Sequence, residues 1–482
     1  MFKRYLFDQL SPVALYGEIK KLFDNQVTML FESVVTSEDG NYSFITIGYK
    51  ERIVHKDGVT TYIDIDGNRE ERDIDPFTLL QDYYSRIDKE RYRQIAEEVG
   101  FLFVDGFIGF IGYDMVKVFE PVLHASMDGL RDDLQTPDLD MLRPKIIMGF
   151  SHKSSELTIV DPDGSSSDMV EKIVRLLPKA HEPMPFTPAR LDGEGEFSIS
   201  SPRFREIVEE AKEHIRAGDV FQMLPSNRYT QRGEIDPLSF YRVLRSKNPS
   251  PYLFLLEYED FSICGSSPEV MVRLTDGEIL LRPIAGTRKR GKTPQRDREL
   301  EEEMLNDPKE CAEHLMLIDL GRNDVGRVAK SGSVEVPEMM RVERYSHVMH
   351  MVSDVVAKIE DDKDMFDLFR ATFTAGTMTG APKIKAMELI AEFEKLKRGF
   401  YSGSVGYFSF TGDMDSAIAI RTALIHPDKI TLQAGAGVVA DSIPELEDLE
   451  VRNKLMALMA TLEEMSRFEK GNSVILVEES ER

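Results

Sequence analysis

The sequence predicts an α/β chain of the α+β kind. Three observations carry this: helix-period apolar runs opened by capped prolines, short apolar runs of strand length, and an Asp-Gly hairpin signal. In order, Ser11-Pro12 opens a helix whose apolar positions are Val13, Leu15, Ile19 and Leu22. Strand-like runs follow at 27–31 and 42–47. The apolar stretch 101–113, FLFVDGFIGFIGY, reads as a buried strand pair with close backbone approach at its glycines. Residues 181–200 are polar and rich in Pro and Gly, the best boundary in the chain.

Beyond that boundary Ser201-Pro202 starts a helix with a Phe204, Ile207, Val208, Ala211, Ile215 face, stopping near Gly218. A strand is expected over 219–229. Asp276-Gly277 joins VMVRL to EILLRPI as a hairpin. Thr293-Pro294 opens a highly charged helix, and Pro444 opens the last long one. The tail from Arg467 carries one strand-like run, VILV.

The 482 residues allow roughly three domains, or two larger ones. No apolar stretch approaches the ~18 residues of a spanning helix, and the N-terminus lacks a signal-peptide core. Cys264 and Cys311 are too few for a disulfide scaffold, so a reducing cytoplasm is expected. A net charge of −25 disfavours nucleic-acid and anionic-membrane partners. Any anionic substrate must therefore be held by a local site against the field of the whole chain.

Several constellations could carry chemistry. Glu447, Glu450 and Lys454 share one face of the last helix, as a surface ladder or as ligands of a hard cation. Its apolar side is expected from Leu446, Leu449, Leu455, Leu458 and Leu462. Glu310 and Glu313 lie on one face of another helix, with cover from Leu315, Leu317, Ile318 and Leu320. Glu313 is either a metal ligand opposite Glu450 or half of a structural ion pair. The turn TAGTMTGAPK before a helix suits an anion, but it is not a P-loop. Gly435, Ala436 and Gly437 begin a GxGxxG/A pattern with too little chain after it for a dinucleotide fold; backbone packed against a ligand fits better. His347 and His350 form a weak HxxH; a hydrogen-bonded core histidine and a general acid are both open.

Five motifs then fall in order: PIAGTRKRG (283–291), EHLMLIDLGRNDVGRV (313–328), SHVMHMVS (346–353), AGTMTGAPK (375–383) and QAGAGVVADSIPELEDLEVRNK (433–454). With FES at 31–33 and GFIGFIGYDMV at 106–116, the chain resembles the chorismate-utilising enzymes over nearly its whole length. The resemblance implies a β-sheet sandwich flanked by helices, with an N-terminal, tryptophan-regulated region over 1–180, a chorismate-binding catalytic region over 195–466 and a tail over 467–482. It implies Mg2+ held by Glu313 and Glu450, with Glu447 close by. Tyr401 and Arg421 would hold the pyruvyl carboxylate of chorismate beside the Gly435-Ala436-Gly437 backbone, and Ala285, Gly286 and Thr287 would line the ring. His350, Thr377 and Lys454 match catalytic positions.

The implied chemistry is attack of ammonia on the ring carbon beside the carboxylate-bearing one, with loss of the ring hydroxyl. Loss of a proton and of pyruvate then gives aromatic anthranilate. Two positions select this branch. Water-using relatives carry Lys at the position of Gln222, and aminodeoxychorismate-forming relatives carry Lys at Ala285. LFES and FTAGTMTG depart conservatively from the family's LLES and FPAGTLSG. Glu32, Ser33, Pro251, Tyr252, Leu253, Val405 and Tyr407 match an inhibitory site for L-tryptophan, with Leu253 where Met is usual. Free ammonia is scarce at neutral pH and no glutaminase nucleophile is apparent in the sequence, so a glutamine amidotransferase partner in an αβ or α2β2 assembly is expected. The alternatives are an aminodeoxychorismate or aminodeoxyisochorismate synthase, and a non-catalytic tryptophan-sensing subunit.

Overall fold

In the computed structural model, residues 2–9, 11–33, 42–179, 183–345 and 348–468 are described. His347 and the expected VILV strand lie outside them. The helix starts follow the capping residues. Ser11 accepts from the Ala14 N–H at the head of Pro12–Leu22, and Thr293 accepts from Arg296 at the head of Pro294–Leu305. Ser200, not Ser201, caps Ser201–Ala217, which ends on left-handed Gly218.

The strand pairs are antiparallel, and beside two small separate sheets most strands of the large sheet fall in two ladders. One runs from Tyr42–Lys56 through Thr28–Glu32, Tyr252–Glu257, Ser262–Ser267, Thr422–His426 and Lys429–Gly435 to Ser226–Glu234. The other runs from Leu139–Ser151 through Gly106–Ile111, Ser404–Ser409, Met414–Ile418, Val270–Thr275 and Glu278–Leu281 to Val355–Lys358. The two long strands Tyr42–Lys56 and Leu139–Ser151 pair with each other and join the ladders. Phe254 and Leu256 from one ladder share a core with Phe110, Met271 and Phe408 from the other, which makes a sandwich. A second core packs Leu15, Phe204, Leu255, Leu455 and Leu462 between a ladder and its covering helices. Strands from residues 1–180 thus pair directly with strands from 195–466.

Three expectations change. The stretch 101–113 supplies one strand, Gly106–Ile111, not a pair. Close approach does hold there: a Cβ on Gly106 or Gly109 would strike a neighbouring backbone carbonyl. The single strand expected over 219–229 is two, Gln222–Met223 and Ser226–Glu234. Pro225 has no N–H for a ladder, and Leu224 turns its N–H to the Thr379 carbonyl instead. On the last helix, Pro444–Ser466, Leu446 and Leu449 are exposed, and burial falls to Val451, Leu455, Leu458, Leu462 and Met465. Leu315 is likewise exposed on Pro308–Gly326. The Asp276-Gly277 hairpin forms as expected, with positive φ at both residues.

Candidate active site

Two helices aim carboxylates into one cavity of about 620 Å3. Asp307 caps Pro308–Gly326 by accepting from the Lys309 and Glu310 N–H groups, which sets Glu310 and Glu313 at the cavity wall. The last helix supplies Glu447, Glu450 and Lys454 from one face. Arg288 ties up Glu310 at 2.9 Å. Burial, then Glu310 and Glu450, push Glu313 above the usual carboxylate range, while the Gln222 amide donates to its Oε1 at 3.0 Å and lowers it. Burial also raises Glu447, and Glu450 adds to the rise. Lys454 bridges Glu450 Oε1 at 2.7 Å and the Gly435 carbonyl at 2.9 Å.

These are hard oxygen donors that repel one another, with no salt bridge to Glu313 or Glu447 among the described residues. Among those residues no three His, Cys, Asp or Glu groups close around a cation unaided. That donor set suits Mg2+, which takes one or two carboxylates and completes its shell with water and substrate oxygens.

Arg421 stands elsewhere on the wall. It is a non-glycine residue at φ +49°, and no hydrogen bond or ion pair holds its guanidinium among the described residues. Burial lowers its pKa and Glu269 raises it. A half-buried cation that no described group pairs is costly unless an anion arrives. The Tyr401 hydroxyl lies beside the Gly435 backbone, where a Cβ would also come within 2.5 Å of Leu224. A Cβ on Gly437 would meet the Gln222 amide at 2.7 Å. Both glycines therefore permit close approach to the cavity. Ala436 points away from it, fully buried with its N–H on the Pro225 carbonyl.

Ala285, Gly286 and Thr287 line the same cavity. Their strand, Ile284–Lys289, shifts register against Val348–Val352 between Ala285 and Thr287, with Gly286 at φ +60°. That bulge brings the Gly286 carbonyl to 3.2 Å from His350 Nδ1, and Thr287 Oγ1 to 3.0 Å. A carbonyl only accepts, so the neutral ring carries its proton on Nδ1 and its lone pair on Nε2. Burial, then Arg421, lower the His350 pKa and favour that neutral form.

Thr377 Oγ1 donates to Glu269 Oε1 at 2.8 Å. Glu269 was not anticipated from the sequence. Burial raises its pKa to about 7, while Thr377, Arg421 and Lys454 lower it. A carboxyl half protonated near neutrality inside the cavity is placed to give up a proton. The expected anion turn contributes Thr377 and Met378 to the wall, whereas Lys383 is spent on Asp324 at 2.6 Å.

Glu32, Ser33, Pro251, Tyr252, Leu253, Val405 and Tyr407 all border a second cavity of about 550 Å3. Glu32 accepts from Tyr241 at 2.6 Å and Arg245 at 2.8 Å. Tyr252 donates to Asp415 at 2.8 Å and accepts from Arg273 at 3.0 Å. Pro268 borders both cavities, with Glu269 on the first and Val270 on the second.

A sandwich whose helices carry opposed carboxylates over an anion-ready arginine defines a class, and comparison with known proteins gives its name. The family model for chorismate binding enzymes matches residues 32–460, and the chain belongs to that family. It is similar to anthranilate synthase component 1 of Aquifex aeolicus, at 41% identity over 96% of this chain and 94% of the relative. It is also similar to the component 1 of Cereibacter sphaeroides, at 44% over 75% and 74%. Among solved structures, anthranilate synthase component I of Streptococcus pneumoniae superposes with TM-score 0.74 at 32% identity, covering 94% of this chain and 98% of that one. The menaquinone-specific isochorismate synthase of Escherichia coli shares the fold, with TM-score 0.69 at 17% identity over 96% of this chain and 94% of that one.

Proposed function

We propose that this chain converts chorismate and ammonia to anthranilate and pyruvate. The observation that carries the reading is a cavity with charge of both signs that no salt bridge among the described residues neutralises: Arg421 on one side, and Glu313 and Glu447, each facing the charge of Glu450, on the other. That matches a dianion bound with a cation at one of its carboxylates. Glu313 and Glu450, with Glu447 near, would hold Mg2+. Bound there, the ion would supply positive charge that stabilises negative charge as it spreads into the ring carboxylate. Arg421, Tyr401 and the Gly435 and Gly437 backbone hold the pyruvyl carboxylate, and Ala285, Gly286 and Thr287 line the ring.

Glu269, protonated and oriented by Thr377, gives its proton to the departing ring hydroxyl as ammonia attacks. His350 Nε2 accepts the ring proton in the second step, when the ether C–O bond breaks and the enolpyruvate released takes up a proton on its methylene carbon to become pyruvate. Gln222 leaves no lysine base to activate water, and Ala285 leaves no amine to form an adduct. Lys454 orients Glu450 and the Gly435 carbonyl together.

Free ammonia is scarce at neutral pH, so a glutamine amidotransferase subunit is its source, consistent with the "component 1" of the relatives' names. L-Tryptophan occupies the second cavity as feedback inhibitor. Two free thiols fit a cytoplasmic setting, and no described helix is long and apolar enough to cross a membrane. The test is anthranilate fluorescence from chorismate, magnesium and ammonium, with and without tryptophan. Anthranilate formation is expected with ammonium but not with glutamine alone. An aminated product that retains its pyruvyl group would sink the reading in favour of an aminodeoxy branch.

A further inference from the structure

Three segments distant in sequence supply Leu224, Met378 and Tyr401 to the wall of the first cavity. Behind them lies Arg398, only 1% exposed. Its guanidinium has five N–H donors, and the structure gives each an acceptor. Nε and Nη2 fork onto the two Glu394 oxygens at 3.0 and 2.6 Å. Nη2 also donates to the Leu224 carbonyl at 2.7 Å, and Nη1 to the Met378 carbonyl at 2.9 Å and Ser402 Oγ at 3.4 Å. The guanidinium carbon stands 4.9 Å from the Tyr113 ring centroid and 5.6 Å from that of Tyr401. Glu394 Oε1 in turn accepts from the Ser226 N–H at 2.7 Å and its hydroxyl at 2.8 Å. Ser226 accepts from Gln433, another wall residue, at 2.8 Å.

Stability alone does not account for this arrangement. A buried ion pair recovers its desolvation cost only with good geometry, and well-packed apolar side chains often serve as well. Apolar side chains, however, could not bind two carbonyls from separate segments and a carboxylate in one plane. Lysine could not either, because its three donors radiate from a point. The Leu224 carbonyl is free for Arg398 because Pro225 interrupts the strand there.

We propose that Arg398, with Glu394, is the positioning residue of the cavity, fixing the Leu224, Met378 and Tyr401 segments so that chorismate meets a preformed wall. This rests on the reading of that cavity as the chorismate site. It touches no substrate and acts through the groups it holds. The two variants that test it are Arg398→Lys and Glu394→Gln in the full chain, with chorismate and magnesium as the probe. Folding is checked by a cooperative thermal melt. The expected result is a kcat/KM for chorismate lowered roughly a hundredfold, the scale of an ångström of misplacement. Calorimetric affinity for chorismate should fall in parallel, while KM for ammonium and tryptophan binding in the second cavity stay at the wild-type values. A folded Arg398→Lys chain with wild-type chorismate affinity would overturn the inference, as would equal losses for chorismate and tryptophan. Should Arg398→Lys fail to fold, Glu394→Gln decides by the same readouts. A wild-type chain that neither binds nor consumes chorismate would overturn the cavity reading and this inference together.

Discussion

The two cavities are close in size, about 620 and 550 Å3, and share Pro268 as wall, yet they treat charge in opposite ways. In the second, the polar groups are spent within the protein: Glu32 on Arg245 and Tyr241, Asp415 on Tyr252 and Arg273. In the first, Arg421 has no hydrogen-bonded or ion-paired partner among the described residues, and Glu313 and Glu447 face like charge. Satisfied polar groups make a rigid receptor that a ligand enters without chemistry. Unsatisfied ones hold unfavourable electrostatic energy that only the right ionic substrate relieves, and that is where perturbed pKa values collect. Changes in one cavity should therefore separate cleanly from changes in the other.

The largest separation is expected from Glu269→Gln. The amide keeps the Thr377 hydrogen bond but has no proton to give. We expect kcat to fall about 10³-fold, within the range for a general acid, with the tryptophan dissociation constant unmoved. Steady-state rates beside calorimetry check this, and a loss of tryptophan binding would show that the cavities are not independent. Next in size is Glu450→Gln. It removes a negative charge from the proposed metal site and the partner of Lys454. The magnesium concentration giving half-maximal rate should rise roughly 10–100-fold. An unchanged magnesium titration would remove Glu450 from the site.

The acid–base pair gives a pH signature peculiar to the first cavity. Glu269 is raised by burial to about 7 and must be protonated, so kcat/KM falls as pH rises through about 7. His350 is lowered by burial and must be neutral, so the acid limb lies below the ordinary histidine range. Together they bound a bell. The same shift sets a stability slope. A carboxyl that holds its proton more tightly when folded stabilises the fold below its unfolded pKa and loses that contribution as pH rises through about 7. Glu269→Gln should therefore flatten the alkaline fall of the melting temperature as well as of the rate.

How far the sequence foretold this contrast depends on whether a feature is local. Caps and turns are local, so Ser11-Pro12, Thr293-Pro294 and Asp276-Gly277 stood where expected. The carboxylate faces at 310/313 and 447/450 were legible from helical spacing. That the two faces oppose each other across a cavity was only one of two open alternatives for Glu313 until the family resemblance chose between them, because periodicity carries no relative placement. Leu446 and Leu449 misled because a leucine tally does not say which flank of a cavity-lining helix meets the core. Glu269 was missed because a single acidic residue between two strands has no period, and its meaning comes entirely from burial beside Thr377. Arg398 was hidden likewise, since its acceptors lie at 224, 378, 394 and 402.

The smallest expected effect belongs to the second cavity and probes how finely it is shaped. Leu253 is 1% exposed, sits opposite Glu32 in the ladder between Tyr252–Glu257 and Thr28–Glu32, and borders the cavity. Leu253→Met nearly conserves volume, so stability should change by less than about 1.5 kcal/mol. The unbranched thioether can follow a flat aromatic ligand and contact its ring edge, worth about 0.3–1.5 kcal/mol. Tryptophan should then bind up to about tenfold more tightly, with kcat for anthranilate unchanged. Calorimetry is the direct measure, because a chain with no Trp gives the ligand's fluorescence no internal competitor but also no reporter of its own. Weaker tryptophan binding would mean that the branched leucine, not the cavity's volume, shapes the receptor. A change in kcat would mean that the Pro268 wall transmits even this slight repacking to Glu269.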